Sequence, residues 1–187
     1  MKLNDPLIRS ITFNGQKYPI DLSFNNVLDV LEILNNPKII SHKKLAMMIH
    51  FLIGSNDLNV HEQMKLWDDI RKNHIKLDEE EIEYDLEGNP MPRPTKQDDR
   101  TMDLEKDAKY IYASFRQIGI NLFREQNKMH WEEFQAILES LPDDTILQKI
   151  ISIRVWKPQK GDSAQYKAQM KKLQEKYSLR EVVEEDE

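Results

Sequence analysis

A histidine beside a carboxylate is raw material for acid–base catalysis and for metal binding. The chain offers two such places, His130-Trp131-Glu132-Glu133 and His61-Glu62. A zinc-hydrolase helix needs His-Glu-x-x-His, because two imidazoles one turn apart converge on one ion. Neither place completes that pattern: Phe134 stands four residues beyond His130, and Lys65 four beyond His61. His42, His50 and His74 have no carboxylate partners at ligand spacing that would distinguish them from chance. The absence of cysteine removes thiolate chemistry, disulfides and cysteine-held metals. There is no Gly-x-Ser-x-Gly elbow, and five glycines in the whole chain make no phosphate-cradling loop. Paired carboxylates are expected by chance among 33 acidic residues. The expectation is a non-enzymatic protein with no catalytic residues, no metal site and no cofactor.

The stretch around His130 then has a mechanical explanation. His130 sits at or near a helix cap, with Glu132 and Glu133 in the first turn, where carboxylates interact favourably with the positive end of the helix dipole. Trp131 and Phe134 face the core. Tyr110, Tyr112 and Phe115 could stack on nucleic-acid bases, but Ile111 and Phe115 fall on an apolar helical stripe and little basic charge surrounds them. The one basic cluster, Lys167, Lys171, Lys172 and Lys176, reads as a solvated helix face. A net charge of −6 also argues against a nucleic-acid partner.

The elements that must position these residues follow from the rest of the pattern. Of 187 residues, 39% are hydrophobic and 32% charged, which permits a modest core under a wet surface. Asn14-Gly15 between two β-prone runs predicts a hairpin. A helix follows Ser23, a candidate cap, with Phe24, Val27, Leu28, Leu31 and Leu34 on one stripe and Val30 and Ile33 widening it; Pro37 stops it. A second helix from about Ser41 carries Leu45, Met48, Ile49 and Leu52, with Met47, Phe51 and Ile53 beside them. In a third, Asn59 and Glu62 have capping-box spacing, and Val60, Met64, Trp67 and Ile70 form the stripe. Residues 77–99 are strongly acidic, with Pro90, Pro92 and Pro94, and read as a solvated linker or an acidic docking arm. Helical spacing resumes with Leu104, Ala108, Ile111, Phe115 and Ile118, ended by Gly119. Trp131, Phe134, Leu138 and Leu141 make the next stripe. Asp143 or Asp144 is expected to cap the helix after Pro142, "ISIRVW" (151–156) is ambiguous between helix and strand, and a lysine-rich helix closes the chain before an acidic tail.

The expected fold is therefore mainly α: a helical domain with a short N-terminal β-hairpin and an acidic, proline-containing linker between two helical halves. The expected bounds are 1–76, linker 77–100, second half 101–178 and tail 179–187. The N-terminus lacks a signal peptide's apolar run, and "LAMMIHFLIG" (45–54) is about half the length of a membrane span. The expectation is a soluble protein of the host cell cytoplasm with no membrane partner.

The second half carries a family pattern: "DAKYIYASF" (107–115), "GINL" (119–122), "HWEEF" (130–134) and "LPDDT" (141–145), followed by Ile153-Arg154 and the lysine-rich helix. In order and spacing it closely resembles a family of phage and prophage tail proteins named after gene product fifteen. The hairpin, "DLSFNNVLDVLEIL" (21–34) and the acidic linker extend the resemblance over nearly the whole chain. The family looks like tail assembly chaperones of long-tailed phages that infect Gram-positive hosts. The resemblance implies that this chain binds the tape measure protein, keeps it soluble and lets the tail tube protein polymerise around it; self-association is also open. The alternative is a structural tail or connector component retained in the virion. Candidate partner contacts are the apolar residues beyond one core-facing stripe, Val30, Ile33, Met47 and Phe51. Equally, a compact helical core could cover both faces of those helices.

Overall fold

A computed structural model of the chain describes residues 4–76 and 101–179. The expected acidic linker, and the tail from 180 onward, lie outside the described residues. The chain is mainly α, as expected, with a two-stranded antiparallel hairpin at its start.

Strands β1 (Ser10–Phe13) and β2 (Gln16–Pro19) pair with Ile11 opposite Tyr18. Asn14 at φ 50° and Gly15 at φ 77° provide the two positive angles that a two-residue turn needs to match the strand twist. Helices α1 (Phe24–Asn35), α2 (Ser41–Ile53) and α3 (Val60–Ile70) follow. A π-helical turn, Arg71–Ile75, continues α3 and ends at Lys76, whose φ of 57° is left-handed. Then come α4 (Ala108–Gln117), the short α5 (Leu122–Glu125), α6 (Trp131–Glu139), α7 (Ile146–Val155) and α8 (Ala164–Lys176).

These elements form two compact units that do not follow chain order. One comprises Met1–Glu80 with Phe123–Glu139, the other Glu81–Leu122 with Ser140–Glu187. Helix α6 thus belongs with the N-terminal elements, a grouping that differs from the expected division at the linker.

In the first unit the core comprises Phe24, Val27, Val30 and Ile33 of α1, Met48, Ile49, Leu52 and Ile53 of α2, and Leu66, Trp67 and Ile70 of α3. Each fully buried large apolar side chain contributes about 1.5–3 kcal/mol. The α1 stripe is centred differently from the sequence expectation. Leu28, Leu31 and Leu34 are only half-buried, while Val30 and Ile33 are interior. In α3, Leu66 replaces Val60 and Met64, both exposed, as the companion of Trp67 and Ile70. The capping box is complete: Asn59 Oδ1 accepts from the Glu62 backbone N–H (3.1 Å) and Glu62 Oε2 accepts from the Asn59 N–H (3.0 Å). Asn59→Ala is expected to lower the stability of this unit by about 1 kcal/mol; an unchanged urea midpoint would show that the cap contributes nothing.

In the second unit Ile111 and Phe115 of α4 and Leu147 and Ile150 of α7 are buried. Neither Asp143 nor Asp144 caps α7. Its N-cap position is Thr145, whose hydroxyl instead donates to the Pro142 carbonyl (2.7 Å). The capping acceptor comes from another helix: Ser114 Oγ, fully buried on α4, accepts the Leu147 N–H at 3.1 Å. The ambiguous stretch 151–156 is helical through Val155, and Arg154 within it is held by an ion pair. Its guanidinium meets the buried Asp107 carboxylate in a two-bond fork, Nη1 to Oδ2 at 2.6 Å and Nη2 to Oδ1 at 2.7 Å. Nε donates to the Tyr177 carbonyl (2.6 Å), at the end of α8.

Candidate functional site

The His130 stretch is a strap. Ser23, just before α1, and His130, just before α6, face each other in an isolated antiparallel bridge. The Phe24 N–H donates to the Met129 carbonyl (3.0 Å) and the Trp131 N–H to the Leu22 carbonyl (2.7 Å). Ser23 therefore holds the start of α1 through backbone, and its hydroxyl makes no capping bond. His130 does cap α6: its Nδ1 accepts the Glu132 N–H at 3.2 Å. The Trp131 indole N–H donates to the Ile75 carbonyl (3.0 Å), at the end of the π turn. Phe134 stacks between Trp131 and Phe24, with ring centroids 5.5 Å and 5.1 Å away.

The electrostatics agree with a structural role. Burial holds the His130 imidazole below its ordinary pKa, against an opposing pull from Glu132 and the Ile8 backbone. Burial pushes the Glu132 carboxyl up, but the Lys76 ammonium at 3.3 Å outweighs it and the group sits below its ordinary value. At His61-Glu62 the glutamate is committed to the capping box and to Asn14 Nδ2 (3.2 Å). Neither place assembles an acid–base pair with a free reach to a substrate. Among the described residues no three histidine or acidic side chains converge as metal ligands, and no helix is long and apolar enough to cross a membrane.

The four candidate contact residues divide. Val30 and Ile33 are interior and cannot meet a partner in this structure: α1 buries the very arc that looked surplus, against the rest of its unit. Met47 and Phe51 are 39% and 40% exposed, one helical turn apart on α2. The sequence reading missed a second apolar row, Val60 and Met64, also one turn apart, on α3. Its signal was present in Leu66, which competes with Met64 for the core face beside Trp67 and Ile70. Helices α2 and α3 pack together, so a paired set of helices keeps apolar rows in solvent. Lys43 and His50, both exposed, share the α2 face with Met47 and Phe51.

A family model described as "Bacteriophage Gp15 protein" matches residues 3–179. No curated protein and no solved structure matches the chain.

Proposed function

The chain belongs to the bacteriophage Gp15 protein family, and from that premise we propose that it is a non-enzymatic tail assembly chaperone whose partner is the tape measure protein. The observation that carries the reading is the exposed apolar surface of α2 and α3: Met47, Phe51, Val60 and Met64. A tape measure is long, helical and apolar in stretches, so it aggregates when naked. A helix pair with unburied apolar rows can shield such a partner by packing helix against groove. Methionines at two of the four positions suit a surface that must repack along a varied partner. The net charge of −6 keeps the complex dissolved, and the tail tube protein displaces the chaperone as it polymerises.

Co-expression with the tape measure protein of the same genome tests this. The tape measure is expected in the soluble fraction only with this chain, and the two are expected to elute together. Met47→Glu with Phe51→Glu is expected to reduce co-purification by about tenfold or more, while thermal stability moves little, since both residues are on the surface. A tape measure that aggregates regardless defeats the proposal. Recovery of the chain in purified virions at fixed copy number would identify a retained structural component instead.

A further inference from the structure

Residues 33–56 contain no aspartate or glutamate, the longest such run in a chain that has 33 of them. Helix α2 fills most of that run and carries His42, Lys43, Lys44 and His50. Its exposed side has a definite layout. Ile40, at the N-cap position, Met47 and Phe51 are 60%, 39% and 40% exposed, and at i, i+7 and i+11 they stand in one row about 16 Å long. Lys43 and His50, also exposed, stand in the next row, two turns or about 10 Å apart. Among the described residues neither has a carboxylate within ion-pair range. On the other side of the apolar row the Lys44 ammonium is engaged, donating to the Leu34 carbonyl at 2.7 Å.

This face is held in place from behind. Met48, Ile49, Leu52 and Ile53 are buried. The Asn26 side-chain amide donates to the Phe51 carbonyl (2.9 Å), and the Asp21 N–H to the Leu52 carbonyl (2.8 Å). With the Lys44 bond, both ends of α2 are tied to α1 and the residues before it, so little order has to be gained on binding. Two occupants fit poorly. A second copy packed antiparallel on this face would set Lys43 of each molecule toward His50 of the other, with no carboxylate in residues 33–56 to answer either. A bilayer takes an amphipathic helix that lies flat with its whole apolar face immersed, whereas most of the apolar surface of α2 is committed to the core.

We propose that α2 docks a helix of another protein whose apolar stripe is bordered by carboxylates one heptad apart, the stripe packing along Ile40, Met47 and Phe51 and the carboxylates meeting Lys43 and His50. Lys43 supplies the charge, and the His50 imidazole offers an N–H donor in either protonation state. One heptad of a helical partner rises about 10 Å, which matches the separation of the two groups along α2. A stripe with neutral borders would fill the apolar row equally well, so the border decides which helices are accepted. The inference deepens the chaperone reading by stating which stretches of a tape measure α2 would take, and it rests on that reading only for the partner's name.

The full chain is titrated into fluorescein-labelled helical peptides of three heptads, with leucine at both core positions and glutamate, glutamine or lysine at the bordering positions. The glutamate peptide is expected to bind most tightly, about tenfold or more over the lysine peptide. Lys43→Glu is expected to reverse that order. Ile40→Ser is expected to weaken all three peptides about tenfold through lost apolar burial. The same change gives α2 a better N-cap, so the unfolding midpoint is expected not to fall. Equal affinity for the three peptides, no binding of any, or an order that Lys43→Glu leaves unchanged overturns the proposal. So does tighter binding to phosphatidylserine vesicles than to the glutamate peptide, or a dimer of the chain that Ile40→Ser dissociates. A tape measure that aggregates regardless, while the peptides still sort by charge, removes the named partner and leaves the docking face. Peptides that do not sort, beside a tape measure that co-purifies, remove this inference and leave the chaperone.

Discussion

Replacing Arg154 by leucine is expected to destabilise the unit of α4, α7 and α8 by about 3–5 kcal/mol. The guanidinium side chain is 9% exposed and the Asp107 carboxylate 1%. Removing the cation leaves a buried anion with a single remaining bond, from the Asp103 N–H at 3.0 Å. It also releases the Tyr177 and Thr101 carbonyls that the same side chain ties down. The companion variant separates charge from packing. Arg154→Leu combined with Asp107→Leu removes both ions, and it is expected to recover a substantial part of the loss, because an apolar pair of similar volume often replaces a buried ion pair at little cost. Guanidinium unfolding followed by circular dichroism gives both numbers. A single-variant loss below about 1 kcal/mol would mean that water reaches the pair.

Trp131→Ala is expected to cost the first unit a similar amount, about 3–5 kcal/mol, for the cavity left by a large interior ring. Trp131 is nearly fully buried, stacks on Phe134, and donates its indole N–H to the Ile75 carbonyl. Trp131→Phe keeps a ring against Phe134 but leaves that carbonyl unbonded, so an intermediate loss of about 1–3 kcal/mol is expected. Hydrogen exchange locates the effect: amides of the Arg71–Ile75 turn should lose protection in both variants, and protection unchanged there would separate the turn from the strap.

The local features were readable because they depend on residues close in sequence. Asn14-Gly15 specifies its own turn, Asn59 and Glu62 specify their own cap, and Trp131, Phe134 and Leu138 are buried along α6 as expected, while Leu141, also buried, falls beyond the end of that helix. What the sequence hid is which side of an over-wide apolar arc faces inward. Helix α1 has apolar residues around more than half its circumference, so spacing alone could not rank Val30 and Ile33 above Leu28 and Leu31. The same ambiguity misplaced Met64. Ser114 as the cap of α7, Arg154 as the partner of Asp107, and Ser23 opposite His130 join residues 33, 47 and 107 positions apart or nearly so in the chain, and no local periodicity reports a pairing of that range. Several residues of the family pattern, Asp107, Ser114, His130 and Trp131, hold elements together. The exposed apolar rows lie outside that pattern, which is why the pattern indicates the fold more directly than the partner.

The strap from Leu22–Phe24 to Met129–Trp131 also bears on the order of events during synthesis. A nascent chain that has reached Lys76 contains the residues of the hairpin and the first three helices, but not the Phe134 ring that stacks on Phe24 or the Trp131 donor that ties down Ile75. Those arrive with α6, roughly 60 residues later, on the order of 3–12 s at roughly 5–20 residues per second. For that interval the N-terminal segment lacks both groups, and the unit can close only when a segment from much later in the chain returns to it.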